Sequence, residues 1–339
     1  MKTLFAASTI AALAASAAVT GAQAQSRDTI QIAGSSTVLP FSSVVAEEFG
    51  NAFPEFNTPV VGSGGTGGGL RQFCQGTGTN TIDIANASRQ IREAEIESCT
   101  TAGVNDIREI MFGYDGIVFA TRLEAGEFAL TPADVFRAIA AQVPGEDGQP
   151  TANTAANWNE IGDFADQEIV LAIPASNHGT REVFEERVLI PGCEAVFGAE
   201  VDEEICISLR QDNVIEIAGD YTETLARLES NPATMGVFGL SFYDQNRDTL
   251  QVATMDGVMP SLDTIAAGEY PVSRPLFFYV KGEHIGVVPG IEEFVEFFLA
   301  ESVSGIGGPL EAAGLIPAPS EEIEAVLTSF RNGEAVTTN

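Results

Sequence analysis

Basic residues are scarce in this chain. Lysine and arginine together number 16 against 48 aspartates and glutamates, which leaves a net charge of −32. The only lysines are Lys2 and Lys281. Such a surface excludes attachment to nucleic acid or anionic lipid through general electrostatics. If the protein binds an anion, it must do so with local, directed donors. Histidine is limited to His178 and His284, so imidazole metal chemistry has little to work with. No C-x-x-C or Cys/His cluster suggests zinc, and no cofactor or metal is expected. Past residue 19, no run is long and apolar enough to span a bilayer.

The N-terminus is different. Lys2 precedes a small, apolar, Ala-rich run over residues 4–19, and Ala22-Gln23-Ala24 follows. A short positive end, an apolar stretch and an A-x-A step describe a secretory signal peptide, residues 1–24, cut after Ala24. Its removal takes Lys2 and no acid, so the mature charge becomes −33. The mature chain is expected to be free in a periplasm. No cysteine lies near the cut to carry a lipid. The remaining chain exceeds the size at which one core usually splits, so two domains are expected. The four cysteines, Cys74, Cys99, Cys193 and Cys206, suggest two disulfides in an exported protein. Of the three pairings, the local ones, Cys74–Cys99 and Cys193–Cys206, are favoured.

Strand, polar turn and helix recur along the chain. A strand over 29–33 runs into Gly34-Ser35-Ser36-Thr37 and an amphipathic helix over 41–49. A short apolar step at 59–61 leads into a glycine-rich turn, 62–69, and a helix over 70–74. A further strand covers 82–85. This alternation argues for an α/β fold with a largely parallel sheet. Residues 111–121 form a buried-strand candidate interrupted by Asp115. Thr131 and Pro132 mark a helix start, as N-cap and first helical residue. Residues 144–157 read as a loop and 168–174 as a strand. A helix follows over 181–189. Further strands are expected over 235–242 and 276–280, and helices over 290–300 and 321–330.

Three turns supply hydroxyls and backbone N–H groups at helix N-termini, where partial positive charge concentrates and an anion can be held. They are Gly34-Ser35-Ser36-Thr37-Val38, Gly62-Ser63-Gly64-Gly65-Thr66-Gly67 and Asn177-His178-Gly179-Thr180-Arg181. Taken singly, each also reads as ordinary capping and loop punctuation. The glycine turn lacks the Gly-Lys-Ser/Thr ending of a nucleotide-binding phosphate loop.

The run Ile32-Ala-Gly-Ser-Ser-Thr-Val-Leu-Pro40 resembles the opening of the periplasmic phosphate-binding proteins of ABC importers. Gly62-Ser63-Gly64-Gly65 resembles that family's second anion turn, and Asp83-Ile-Ala-Asn-Ala-Ser-Arg89 its third. Asn177-His178-Gly179-Thr180-Arg181 sits where the family has a Ser-Gly-Thr turn, and Asn157-Trp158-Asn159 resembles its apolar-Trp-Asn/Asp step. The resemblance keeps the order of motifs over the mature chain. It implies two α/β lobes of the type II binding-protein kind, with the ligand in a cleft between them. Two crossing strands would join the lobes near 113–117 and 274–279. Lobe 1 would take residues 25–113 and 276–339, and lobe 2 residues 114–275.

Carried over by position, Ser36, Thr37 and Ser63 would offer hydroxyls, Val38 a backbone N–H, and Gly179 and Thr180 donors from the second lobe. The chain departs from the family in places. Ser88 stands where an acidic residue often accepts the proton of hydrogen phosphate. Pro174 and Ala175 fill a stretch that often carries an arginine, and His178 replaces the turn's serine. Arg89 and Arg181 could then supply positive charge. Asp115 is the best replacement acceptor, or else an acid that caps a strand end or pairs with an arginine. His178 either donates to the anion or caps its helix. Trp158 reads as packing and His284 as a surface residue.

The function implied is capture of phosphate and delivery to the permease subunits of an ABC importer, by a monomer that is not an enzyme. Sulfate, molybdate and phosphonate are the rival ligands. A periplasmic phosphatase is the rival enzyme, poorly served by two histidines. A third class is a structural surface protein that uses its lobes as scaffold.

Overall fold

The computed structural model describes residues 27–176, 179–218 and 221–337. The expected signal peptide, residues 1–24, lies outside them. The N-terminal alternation reads β1 (Gln31–Gly34), α1 (Leu39–Ala52), β2 (Val60–Ser63), α2 (Thr66–Phe73), β3 (Ile84–Ala87) and α3 (Glu93–Thr101). Helix α2 starts at Thr66 and takes in Gly67, Gly68 and Gly69, where the sequence pattern places the helix start at Leu70. Glycine is a poor helix former, but close packing demands it here. A Cβ on Gly69 would stand 2.4 Å from the Cα of Gly34.

Next comes β4 (Ile107–Arg122), 16 residues long. The chain continues through α4 (Pro132–Ile139), β5 (Val170–Pro174), α5 (Gly179–Phe184), β6 (Val214–Ile217), α6 (Tyr221–Ser230), β7 (Thr234–Gly239) and α7 (Leu240–Gln245). It ends with β8 (Leu250–Val252), β9 (Ser273–Lys281), α8 (Ile291–Phe298), α9 (Pro309–Ala312), β10 (Ile316–Pro317) and α10 (Ser320–Asn332). Helix α4 opens as its capping signals predict: Thr131 Oγ1 accepts from the Asp134 backbone N–H, and the Asp134 carboxylate accepts from the Thr131 backbone N–H.

Among the described residues these strands make one 10-stranded sheet, in the order β2-β1-β3-β9-β4-β7-β5-β6, with β8 and β10 also pairing to β4. Strand β1 is parallel to β2 and β3, and β5 is parallel to β6 and β7. Strands β4 and β9 run antiparallel and cross from one half to the other. The length of β4 is what allows this. Its Phe112 packs with Ile32, Phe49, Phe278 and Phe298, while its Ile117 and Phe119 pack with Val135, Trp158, Leu171 and Phe238. Separate cores on the two halves of one continuous sheet give a two-lobed α/β fold, as expected. The expected exchange points, 113/114 and 275/276, fall inside β4 and β9.

Both local disulfides, Cys74–Cys99 and Cys193–Cys206, are present. Trp158 is fully buried between Phe128 and Phe164, a packing role. Three expectations need correction. Strand β7 stops at Gly239, opposite Ile117, and the chain turns into α7 instead of extending to residue 242. The expected loop at 144–157 carries part of a hairpin that pairs Gln142–Pro144 with Pro150–Ala152. His284 is not at the surface: it is buried, with Nδ1 2.6 Å from Asp83 Oδ1 and Nε2 3.0 Å from the Thr77 carbonyl. The reason is Asp83, a fully buried carboxylate that must be matched; Arg27, His284 and the Gln31 N–H all converge on it. No described helix is long and apolar enough to cross a membrane.

Candidate functional site

Helices α1 and α2 begin just beyond the C-terminal ends of parallel strands β1 and β2, and α5 just beyond β5. In open α/β sheets this is where ligands bind, in the crevice outside the carboxyl ends of the strands. The first turns are brought together tightly. The Ser35 N–H donates to the Asn86 carbonyl and the Gly64 N–H to the Gly34 carbonyl. A Cβ on Gly34 would lie 2.2 Å from the Asn86 oxygen, so only glycine permits this approach. Neither α1 nor α2 has a side-chain cap on its first turn.

A cavity of about 350 Å³ opens between the two halves. Thr37 lines it from the β1–α1 turn, Thr180 from α5, Asp115 from β4 and Tyr221 from α6. Of the residues expected to hold a ligand, Thr37, Asp115 and Thr180 are thus gathered on one wall system. Gly179 opens α5 beside Thr180, and Val38 is buried behind Thr37. Ser36 and Ser63 are exposed and do not line the cavity. Ser88 is buried, its Oγ 3.1 Å from Thr66 Oγ1, so the third turn is spent on fixing the start of α2. His178 lies outside the described residues.

The expected arginines are committed elsewhere. Arg89 makes a two-pronged contact with Glu95, at 2.9 Å from each of two nitrogens. Arg181 bonds Glu185 at 2.7 Å and the Pro174 carbonyl at 3.1 Å, and so ties α5 to β5 away from the cavity. A guanidinium does adjoin the cavity: Arg274, which sequence reasoning did not single out as a ligand, stands behind the lining residues Thr37 and Asp115. Arg274 is on β9, directly opposite Asp115 in the β4–β9 register, and is 2 % exposed.

Asp115 and Arg274 face one another without a hydrogen bond. Arg274 Nε stands 3.8 Å from Asp115 Oδ2, and among the described residues neither atom has a hydrogen-bond partner. Burial pushes the Asp115 carboxyl up to about 6, with the nearby Glu182 charge adding to the rise and Arg274 opposing it. The rest of the guanidinium is engaged: Nη1 with Glu186 at 2.8 Å, and Nη2 with Thr37 Oγ1 at 3.0 Å and Glu182 at 3.3 Å. Across the cavity Thr180 Oγ1 meets the Tyr221 hydroxyl at 2.7 Å. The arrangement joins a buried acceptor to hydroxyl and guanidinium donors.

The family model described as "PBP superfamily domain" matches residues 19–302. The chain is similar to Protein SphX of Synechococcus elongatus, at 30% identity over 90% of this chain and 82% of that one. It is also similar to the phosphate-binding protein PstS of Staphylococcus haemolyticus, at 29% identity over 88% of this chain and 84% of that one. Among solved structures it resembles "a possible phosphate binding protein" from Planctomyces limnophilus, with a TM-score of 0.69 and 27% identity over 90% of this chain and 98% of that one.

Proposed function

The chain belongs to the PBP superfamily, and from that premise we propose that it captures inorganic phosphate in the cleft between its lobes and hands it to an ABC importer. The observation that carries the choice of ligand is Asp115. Its carboxylate oxygen is buried on the cavity wall and lacks a partner among the described residues, while hydroxyl and guanidinium donors stand around it. Donors alone hold any tetrahedral oxyanion. An ionised carboxylate among them selects one that still carries a proton. Phosphate keeps at least one at neutral pH, whereas sulfate keeps none and meets only repulsion. With its carboxyl at about 6, Asp115 is ionised and able to accept at neutral pH.

The assigned donors are Thr37, Thr180 and Arg274, with backbone N–H groups of the turns at Val38 and Gly179. The relatives named as phosphate-binding proteins support capture over turnover, and delivery to membrane permease subunits follows from the same kinship. Release outside the cytoplasm after cleavage near Ala24, and action as a monomer, belong to the same proposal. Calorimetric titration of the mature protein with phosphate and with sulfate near pH 7.5 is the test. Phosphate should bind more tightly than sulfate by at least roughly tenfold. Equal or tighter sulfate binding would sink the assignment.

A further inference from the structure

Three carboxylates surround the one guanidinium of Arg274. Asp115, Glu182 and Glu186 stand 3.8, 3.3 and 2.8 Å from its nitrogens. This excess of negative charge is odd in a cleft meant for an anion. A dianion entering it would raise the imbalance further, beside a guanidinium that is only 2 % exposed. At least one carboxylate has to leave when the ligand arrives.

The three are not equivalent. Asp115 is fixed on strand β4, with its Oδ2 buried. Glu186 touches only the outer nitrogen, Nη1, and its side chain is half exposed. Glu182 alone competes for the ligand's donors. Its Oε2 accepts the Thr37 hydroxyl at 2.8 Å and lies 3.3 Å from Arg274 Nη2, while that same Nη2 donates to Thr37. A carboxylate oxygen and a phosphate oxygen ask the same of such donors. Glu182 comes from the first turn of α5 and Thr37 from the turn after β1, so the contact also bridges the cleft. The Glu182 side chain is about one-third exposed, at 36%, which gives it a short way out to solvent.

We propose that Glu182 is an internal stand-in for the anion. In the ligand-free protein it occupies Thr37 and Arg274 and latches the two sides of the cleft. Phosphate displaces it, takes over both donors and pushes the carboxylate into solvent. This rests on the reading that Thr37 and Arg274 face the ligand. The latch holds back part of the protein from binding, so the apparent affinity is lowered by the fraction of molecules in which it is shut. It also favours a ligand able to offer Thr37 and Arg274 more than a single carboxylate does.

The test compares Glu182→Ala, Glu182→Gln and Glu186→Gln with the unaltered protein. Glu186→Gln removes the same charge from the same guanidinium but leaves Thr37 untouched, and so controls for simple loss of repulsion. Phosphate affinity is measured by titration calorimetry, and backbone hydrogen exchange over residues 35–38 is measured without ligand. Glu182→Ala should bind phosphate roughly tenfold more tightly, the scale of a lost competing hydrogen bond to a charged group. Glu182→Gln should fall between it and wild type, and Glu186→Gln should change affinity distinctly less. Exchange over 35–38 should quicken in Glu182→Ala. Unchanged or weaker phosphate binding in Glu182→Ala, or an equal gain in Glu186→Gln, overturns the proposal. If no protein in the series binds phosphate, that result counts against the function proposed above. The exchange measurement then decides the latch by itself, and unchanged exchange in Glu182→Ala overturns it.

Discussion

Replacing Asp115 with asparagine should make the ligand-free protein more stable and its phosphate site worse. The side chain lies on a crossing strand, 13% exposed and with Oδ2 buried, and Arg274 is 3.8 Å away and too far for a hydrogen bond. Its carboxyl rises from an ordinary value near 3.8 to about 6, chiefly through burial. Each tenfold change in proton affinity is worth about 1.4 kcal/mol, so the ionised form costs the fold up to ~3 kcal/mol. The sign follows from the raised value. Below pH ~4 the group is protonated both folded and unfolded, and nothing is lost. As pH climbs through about 6 the unfolded chain ionises first, and the folded state loses stability relative to it. Asparagine has no proton to lose. Urea melts of both proteins between pH 4 and 7.5 should therefore converge at the acid end. They should separate in favour of Asp115→Asn by about 1–3 kcal/mol at the neutral end.

Titration calorimetry supplies the other half. Asp115→Asn should lower phosphate affinity by about 1.5–3 kcal/mol, the scale of a hydrogen bond to a charged group. It should weaken sulfate less, or admit it. The unaltered protein should show the same trend as pH falls through about 6, where Asp115 gains its proton and sulfate binding improves. Parallel stability curves for the two proteins would mean the carboxylate is well solvated, and the argument for it as proton acceptor would fail. An unchanged phosphate-to-sulfate ratio would mean that the proton acceptor is not Asp115.

Two further outcomes follow from charge. The mature charge of −33 opposes the approach of an anion, so added salt should speed phosphate association in stopped-flow measurements while leaving affinity nearly constant, because the contacts are buried; affinity that collapses with modest salt would mark an exposed patch instead. Lys281 is buried against Phe73, with its ammonium on the Gly76 carbonyl and Thr81 Oγ1, and burial holds it down to about 8. The folded state therefore sheds this proton before the unfolded chain does. Stability should gain no more than roughly 3 kcal/mol from this residue between pH ~8 and ~10.5, a gain that Lys281→Met should lack in denaturant titrations; identical slopes in the two proteins would refute it.

Much of the fold was legible because it follows from local physics. The recurring strand, polar turn and helix mark an α/β sheet. The turns at Thr37 and Thr180 were identifiable from hydroxyls and glycines at helix starts, and both line the cavity. Asp115 stood out as an acid inside an apolar run, which is costly unless used. What could not be read was how the halves meet. Arg274 contacts Thr37 across 237 positions and Glu182 across 92. Its place opposite Asp115 depends on a β4–β9 register that shifts between Leu276 and Phe277. Because strand side chains alternate faces, a slip of one residue would turn Arg274 out of the cleft, and one sequence carries no record of register between strands so far apart.

The commitments of Arg89 and Arg181 are a different matter, because their signal is local. Arg89 and Arg181 are ligand candidates by sequence because they adjoin anion-binding turns. Adjacency in sequence also brings neighbours. Arg89 has Glu93 and Glu95 just downstream and Arg181 has Glu185 one helical turn on; in the structure Glu95 and Glu185 take the two guanidinium groups. Opposite charges three or four residues apart on a helix pair readily, and an arginine so neutralised has little to offer a ligand. Arg274 has no acid within four residues on either side. In a chain with three acids for every base, a buried arginine left without a local partner must find its counter-charge at long range, across a crossing strand or from a bound anion. Local partners thus set Arg89 and Arg181 aside but leave two arginines, Arg274 and Arg71, whose neighbours over 67–75 carry no acid either. Arg71 lies exposed on α2, and burial on β9, which the sequence does not show, separates Arg274 from it.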